Sequence, residues 1–275
     1  RNVEHTLTQI GWEPWTGPQK TYQIGSLGVK ATFIDHDNGS RREFLDVGTP
    51  RPRGALIYYW LPKECQKAKL HITDSRGRVV RQYASDTPDE TMEPMSCLTG
   101  LNKLNWDITY SSHTTLPGES VPINTNLTPV AAPGEYVIQL ATDGSYSTVT
   151  VKVSSDPRVS VDVSHLREQT EFLLEIRDTI ACVMKTIQQI TKYRQIIVTP
   201  TSALDEIELA LHRMVPPGDL ARNHPGGALE GLQSVFPVVV SADAKPTRQA
   251  RDSFTRWQQQ AEEAINRFTK LSSTK

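Results

Sequence analysis

At 275 residues, with 37% hydrophobic and 22% charged residues and a formal net charge of −1, the chain has an ordinary globular composition and room for two domains. Thirty Lys+Arg against 31 Asp+Glu leave no electrostatic case for a nucleic-acid partner. The longest apolar run, residues 235–240, falls far short of the ~18 residues a membrane span needs.

The chain opens on Arg1 rather than Met and without a signal-peptide pattern, which points to a processed product or a piece of a longer chain. Residues 1–53 read as a lead-in carrying a β-hairpin. Trp12 and Trp15 sit in a turn-rich patch before Gly17-Pro18. Two exposed tryptophans beside turns can stack on sugar rings; the plainer expectation is that they pack against another part of a larger protein. Residues 29–34 and 42–45 flank Asp37-Asn38-Gly39-Ser40, a hairpin turn because Asn-Gly readily takes positive φ. Asp35, Asp37 and Asn38 do not match a calcium loop, since Gly39 comes too early and no Glu follows at the required offset.

From Gly54 the pattern predicts strands at regular intervals. Residues 55–60 form one, stopped by Pro62. A second covers 68–73, with Leu70 and Ile72 on one face and Lys69 and His71 on the other. Asp74 to Gly77 turns the chain into 78–83. After a polar loop, Gly100 feeds a strand in which Leu104, Trp106 and Ile108 alternate with polar residues. A long loop follows at 111–131. Pro133-Gly134 then feeds a strand with Tyr136, Ile138 and Leu140 on one face, and a closing strand carries Val149, Val151 and Val153. Such period-two alternation marks a sheet with one wet face. Six or so strands in about a hundred residues, with no helix between them, predict an antiparallel Ig-like β-sandwich over 54–155.

At Asp156-Pro157 the period changes. Leu173, Ile176, Ile180, Val183, Ile187 and Ile190 recur in threes and fours, predicting a long amphipathic helix with Ser164 as its N-cap. Leu204, Ile207 and Leu211 give a shorter helix capped by Ser202. Leu229, Leu232, Val235 and Phe236 start a third, which Pro237 is expected to kink or end. Pro246 opens a fourth, with Phe254, Trp257, Ala261, Ala264, Phe268 and Leu271 on its stripe. These stripes bury one another, so residues 156–275 are expected to form an antiparallel helical bundle. The fold class is mixed, β then α.

Catalytic grammar is missing from the sequence. There is no nucleophile elbow, no His-Glu-x-x-His and no phosphate-cradling glycine loop, and the carboxylate pairs Asp205-Glu206 and Glu262-Glu263 read as solvated helix faces. His71 and His113 read as a solvent-facing strand residue and a loop residue. No catalytic, cofactor or metal residue is assigned, and no cofactor is expected. The three cysteines, Cys65, Cys97 and Cys182, are too few and too scattered for a disulfide framework or a zinc site. Cys65 and Cys97 both fall at loop edges of the strand region, which leaves a single bridge open.

Several phrases in order carry a resemblance: Glu43 to Asp46, Pro50 to Gly54, Ile57 to Pro62, Gly100 to Asp107, Ala132 to Tyr136, Asp156 to Val159 and Ser241 to Thr247. Together they resemble the C-terminal half of large bacterial proteins whose N-terminal half is a sortilin-type β-propeller with BNR/WD40-like repeats. The strand region is similar to the Ig-like domain of the flagellar hook-capping type. Such proteins often carry a glycosyl hydrolase label, but that label belongs to the propeller, and no propeller repeat is present in these residues. The resemblance implies a non-catalytic accessory module, exported to the periplasm or secreted, that packs on its own N-terminal propeller and presents a recognition surface to a cell-surface glycan or protein. The alternative is the carbohydrate-binding portion of a glycan-processing enzyme, with Trp12 and Trp15 in the site. The 111–131 insert and Pro237 depart from the family pattern.

Overall fold

A computed structural model describes the backbone of residues 19–24, 29–36 and 41–44 and, with side chains, residues 54–63, 65–86, 92–112, 127–157, 160–196, 202–212 and 227–273. The chain divides into two compact units, Arg1–Arg53 and Gly54–Lys275.

In the first unit, β1 (Gln19–Ile24), β2 (Val29–His36) and β3 (Arg41–Phe44) form an antiparallel sheet in that order. The register runs Gln19↔Ile34 on one side and Phe33↔Phe44 to His36↔Arg41 on the other. The strand β1 was not anticipated, because Lys20-Thr21-Tyr22-Gln23 offers no apolar alternation. The turn residues Asp37 to Ser40 lie outside the described residues, as do Trp12 and Trp15.

The second unit begins with strands and ends with helices. Its strands are β4 (Ala55–Leu61), β5 (Ala68–Asp74), β6 (Val79–Ala84), β7 (Glu93–Pro94), β8 (Gly100–Trp106), β9 (Gly134–Thr142) and β10 (Ser145–Val153). A five-stranded sheet has the order β10-β9-β5-β6-β7, and β4 pairs with β8 in a second, two-stranded sheet. Pairing is antiparallel except for the short β7, which runs parallel to β6 through Tyr83↔Glu93. The expectation of a wholly antiparallel sheet is corrected at that edge. The inward side chains of both sheets meet in one core: Tyr59, Leu61, Leu104 and Trp106 from one, and Leu70, Ile72, Val80, Tyr83, Tyr136 and Ile138 from the other. Alternation explains most of these residues, which lie two positions from the next inward residue of their strand; Val80 and Tyr83 lie three apart because the β5–β6 register shifts between Ile72 and Thr73.

Trp106 is fully buried at the centre of this core, edge-to-face with Tyr136 at 5.1 Å between ring centroids. Its indole N–H donates to the Thr109 carbonyl at 3.1 Å. The expected run Leu104-Trp106-Ile108 does not continue past Trp106. Ile108 takes φ +59°, a region that costs a β-branched residue roughly 1–3 kcal/mol. The corner is held from several sides. Ala131 N–H donates to the Ile108 carbonyl, and the Arg81 guanidinium binds the Thr109 carbonyl, the Thr109 hydroxyl and both Asp107 oxygens. Gly54 faces the same corner at φ +109°, where an added Cβ would lie 2.1 Å from the Trp106 carbonyl oxygen, so only glycine fits.

Four helices follow: α1 (Val163–Ile196), α2 (Ser202–Leu211), α3 (Ala228–Val240) and α4 (Arg248–Ser273). The stripe residues Leu173 to Ile190 of α1, Leu204, Ile207 and Leu211 of α2, and Phe254, Ala261, Ala264 and Phe268 of α4 are buried in a shared core. Three details at helix ends correct the sequence reading. Asp162, not Ser164, caps α1, its carboxylate accepting the Ser164 N–H at 2.8 Å. Ser202 is the first helical residue of α2, so it lies inside the helix rather than before it. Helix α4 begins at Arg248, two residues after Pro246, with Thr247 as its cap accepting the Ala250 N–H. Nor does Pro237 end α3, which continues to Val240. Pro237 sits in the last turn, and Gln169 of α1 donates to the Val239 and Ala242 carbonyls at 2.6 Å each, satisfying the end of the helix from outside. Gly231 lets α3 approach α4 closely, since a Cβ there would fall 2.1 Å from the Trp257 ring. Phe268 packs edge-to-face on Tyr193 across the core, and Phe268→Asp should cost about 2–3 kcal/mol, the transfer free energy of one phenylalanine. Urea melts of the two proteins measure it; an unchanged midpoint would mean this core face is misplaced.

Helix α1 also packs against the strand region. Leu174 enters the strand core, Thr170 Oγ1 donates to the Val130 carbonyl, and Arg177 donates to the Ser111 carbonyl. Beside them Arg78 binds Glu171 of α1 through two bonds of 2.7 and 2.8 Å and Asp74 through its Nε at 2.7 Å. Burial pushes the Asp74 carboxyl up, but bonds from Arg78, the Arg76 backbone and the Tyr110 hydroxyl outweigh it and hold it below the usual carboxylate range. The Arg78 hydrogen bond lowers Glu171 in the same direction. Carboxyls depressed on folding contribute stability that is present above their unfolded values, near pH ~4, and lost as pH falls through the folded ones. Unfolding followed from pH 7 to 3 should therefore show a loss on the acid side. Arg78→Gln should flatten that slope, and an identical slope would remove the Arg78 cluster as its source.

Candidate functional site

The β4–β8 sheet has one side in the core and the other in solvent, and the solvent side is unusually apolar. Leu56, Tyr58 and Trp60 alternate outward on β4 against Leu101, Lys103 and Asn105 on β8, in the register Leu56↔Asn105, Tyr58↔Lys103 and Trp60↔Leu101. Trp60 is 66% exposed, Leu101 67%, Tyr58 57% and the neighbouring Leu98 65%. Single exposed apolar residues are ordinary, but a cross-strand group containing Trp and Tyr is the composition of interaction surfaces.

What lies beneath this face keeps it rigid. The intervening residues Tyr59 and Leu61 are core, and the Tyr59 hydroxyl donates to the Ser96 carbonyl at 2.7 Å. Burial raises the Tyr59 phenol above its ordinary value, so it remains a neutral donor. Asn102, buried between the exposed Leu101 and Lys103, donates to the Leu98 and Gly100 carbonyls at 2.8 and 3.0 Å and accepts from the Ser96 hydroxyl at 2.5 Å. One residue away, Cys97 is joined to Cys65 by a disulfide with a Cα–Cα distance of 5.8 Å. The segment carrying Leu98 and leading to Leu101 is thus fastened by one covalent bond and by hydrogen bonds to a buried amide. A surface held this way loses little side-chain and loop freedom on binding.

Two other concavities in this unit lie at ion-paired clusters. A cavity of about 770 Å³ lies between α1 and α4, with Glu168, Glu171, Glu175, Asp178 and Glu262 on its walls. Glu168 is paired with Lys245 and Arg251, Glu171 with Arg76 and Arg78, and Asp178 with Arg177. A second cavity of about 540 Å³ surrounds the Asp74, Arg78 and Tyr110 cluster. Cys182 is exposed in the first cavity without a histidine on its walls. Among the described residues no three His, Cys, Asp or Glu side chains gather as a metal site would need, and no helix is long and apolar enough to cross a membrane. His71 is half-buried with Nδ1 3.1 Å from the Gln82 amide; burial lowers it, and Lys69 adds to the effect.

Of the sequence candidates, Trp12 and Trp15 lie outside the described residues, whereas Trp60, which sequence reading placed only as a strand residue, is the tryptophan found on an exposed face. A signal for it was present: Leu56-Tyr58-Trp60 is an apolar set one position out of phase with Ile57-Tyr59-Leu61, so β4 is apolar on both faces. A scan against protein-family models and a search of curated proteins each return no match.

Proposed function

We propose that the chain is a non-catalytic interaction module, the C-terminal part of an exported β-propeller protein, and that it meets its partner through the outer face of β4–β8. The observation that carries this reading is the Tyr58, Trp60, Leu98 and Leu101 group, apolar, exposed and braced from below by Asn102 and the Cys65–Cys97 disulfide. In this reading residues 54–155 are an Ig-like β-sandwich, supported by two sheets sharing one core around Trp106, and residues 156–275 are an antiparallel helical bundle, supported by the mutually buried stripes of α1 to α4. Export is supported by the disulfide, because such bonds persist in oxidising compartments. The ordered phrases from Glu43 to Thr247 support the propeller setting.

The propeller is the partner of first choice, since a Trp-Tyr-Leu surface with a single flanking Lys103 suits an apolar protein face. Binding between this chain and the propeller region, measured by calorimetry, should weaken about thirtyfold on Trp60→Ala, the ~2 kcal/mol of a hot-spot residue. Val238→Ala, an exposed apolar residue on α3, should leave it unchanged. Equal binding by wild type and Trp60→Ala would sink the proposal. A second reading is favoured by Tyr58 and Trp60 standing two residues apart on one face, an aromatic platform of the kind on which sugar rings stack. A glycan array separates the two: saccharide binding lost on Trp60→Ala, with no affinity for the propeller, would select the carbohydrate-binding module instead.

A further inference from the structure

The strand β10 borders the five-stranded sheet, and among the described residues no strand lies beyond it. Edge strands are normally blunted by shortness, proline, charge or a bulge. None of these protects β10. It is nine residues long, contains no proline, pairs with β9 from Ser145↔Thr142 to Val153↔Gly134 without a register shift, and has its single charge at Lys152 near one end. Residues 145–150 are all exposed, and Val149, expected from alternation to be covered with Val151 and Val153, is 55% exposed. Val151 and Val153 pack against the strand core, whereas Val149 does not.

The hairpin geometry tells which backbone groups are free. Thr142 and Ser145 flank a two-residue Asp143-Gly144 turn and so exchange both backbone bonds with each other. Odd-numbered residues of β10 therefore bond to β9, and the N–H and C=O groups of Tyr146, Thr148, Thr150 and Lys152 point to the open edge.

We propose that a second copy of this chain adds its own β10 antiparallel to this edge, about a twofold axis through Val149, so that two five-stranded sheets become one. The strand is self-complementary in that register. Val149 meets the second copy's Val149 as a non-hydrogen-bonded pair on the inner face, covering the side chain that each copy leaves exposed. On the outer face Thr148 meets Thr150, and Tyr146 meets Lys152. The lone charge of each strand faces an aromatic ring rather than its own copy, so no like charges oppose. The free backbone groups of four residues on each strand find partners, and the interface closes as an isologous pair.

Sedimentation equilibrium on the full chain is expected to give a concentration-dependent rise to twice the chain mass. Thr148→Pro removes an N–H that points to the edge and leaves the β9 ladder intact, and it should give the single-chain mass with an unchanged circular dichroism spectrum. Register is tested by cysteine cross-linking in a Cys182→Ser background. Val149→Cys should oxidise to a covalent dimer, whereas Val151→Cys, whose mate is Ser147, should remain largely single. A single-chain mass throughout, including the case in which the edge takes another protein's strand, overturns the proposal. So does a dimer that survives Thr148→Pro, or equal cross-linking by the two cysteine variants, and the latter comparison holds even if the proline variant misfolds.

Discussion

Trp106→Ala is expected to lower the unfolding free energy by about 3–5 kcal/mol, the range for deleting a large aromatic from a core. Trp106 is fully buried, and its removal vacates the space between the two sheets where Tyr136 packs edge-to-face. It also deprives the Thr109 carbonyl of one donor at the corner where Ile108 holds a positive φ. Both effects act in the same direction, because the strain at Ile108 is tolerated only while its surroundings keep the backbone there. The matched control is Trp60→Ala on the paired strand. Trp60 is 66% exposed, so its loss should shift stability by no more than about 0.5 kcal/mol. Urea unfolding of the three proteins, compared at one denaturant slope, checks both. A larger loss from Trp60→Ala than from Trp106→Ala would show that inward and outward faces of the β4–β8 sheet have been exchanged.

Replacing Cys65 and Cys97 together by serine should cost about 3–4 kcal/mol. The two cysteines are separated by 32 positions, and closing a loop of that length in the unfolded chain removes entropy worth roughly this amount. The same loss should follow when the native protein is unfolded in the presence of a reductant, while Cys182→Ser, an exposed free thiol, should change stability little. The bond lies beside Leu98 and the Asn102 network, so its removal should also weaken partner binding through the β4–β8 face beyond what global stability explains. A double variant as stable as wild type would mean that the bridge contributes nothing to the folded state.

Much of the strand and helix order was legible from period alone. The inward residues Leu70, Ile72, Leu104, Trp106, Tyr136 and Ile138 are those that alternation selects, and Leu173 to Ile190 are those that a helical stripe selects. The misses cluster where a distant residue decides a local outcome. Helix α3 runs past Pro237 to Val240, and Gln169, far away in the chain, satisfies carbonyls at its end. Ile108 left the strand because Thr109, Arg81 and Ala131 hold the corner. Asp162 capped α1 instead of Ser164, a shift of two residues that helix-start signals do not resolve.

The candidate site shows the same division. Its tryptophan was in plain view in the β4 segment, but nothing local says which face of a doubly apolar strand meets the core. Composition and periodicity by themselves determined that this is a β-then-α chain and which residues carry its hydrophobic stripes. Only the tertiary structure decided that Cys65 and Cys97 are bonded, that Trp60, Tyr58 and Leu101 remain in solvent, and that among the described residues no strand covers the edge of β10. Each of these depends on what packs on the far side of a strand, and a strand's own residues specify two faces without specifying their neighbours.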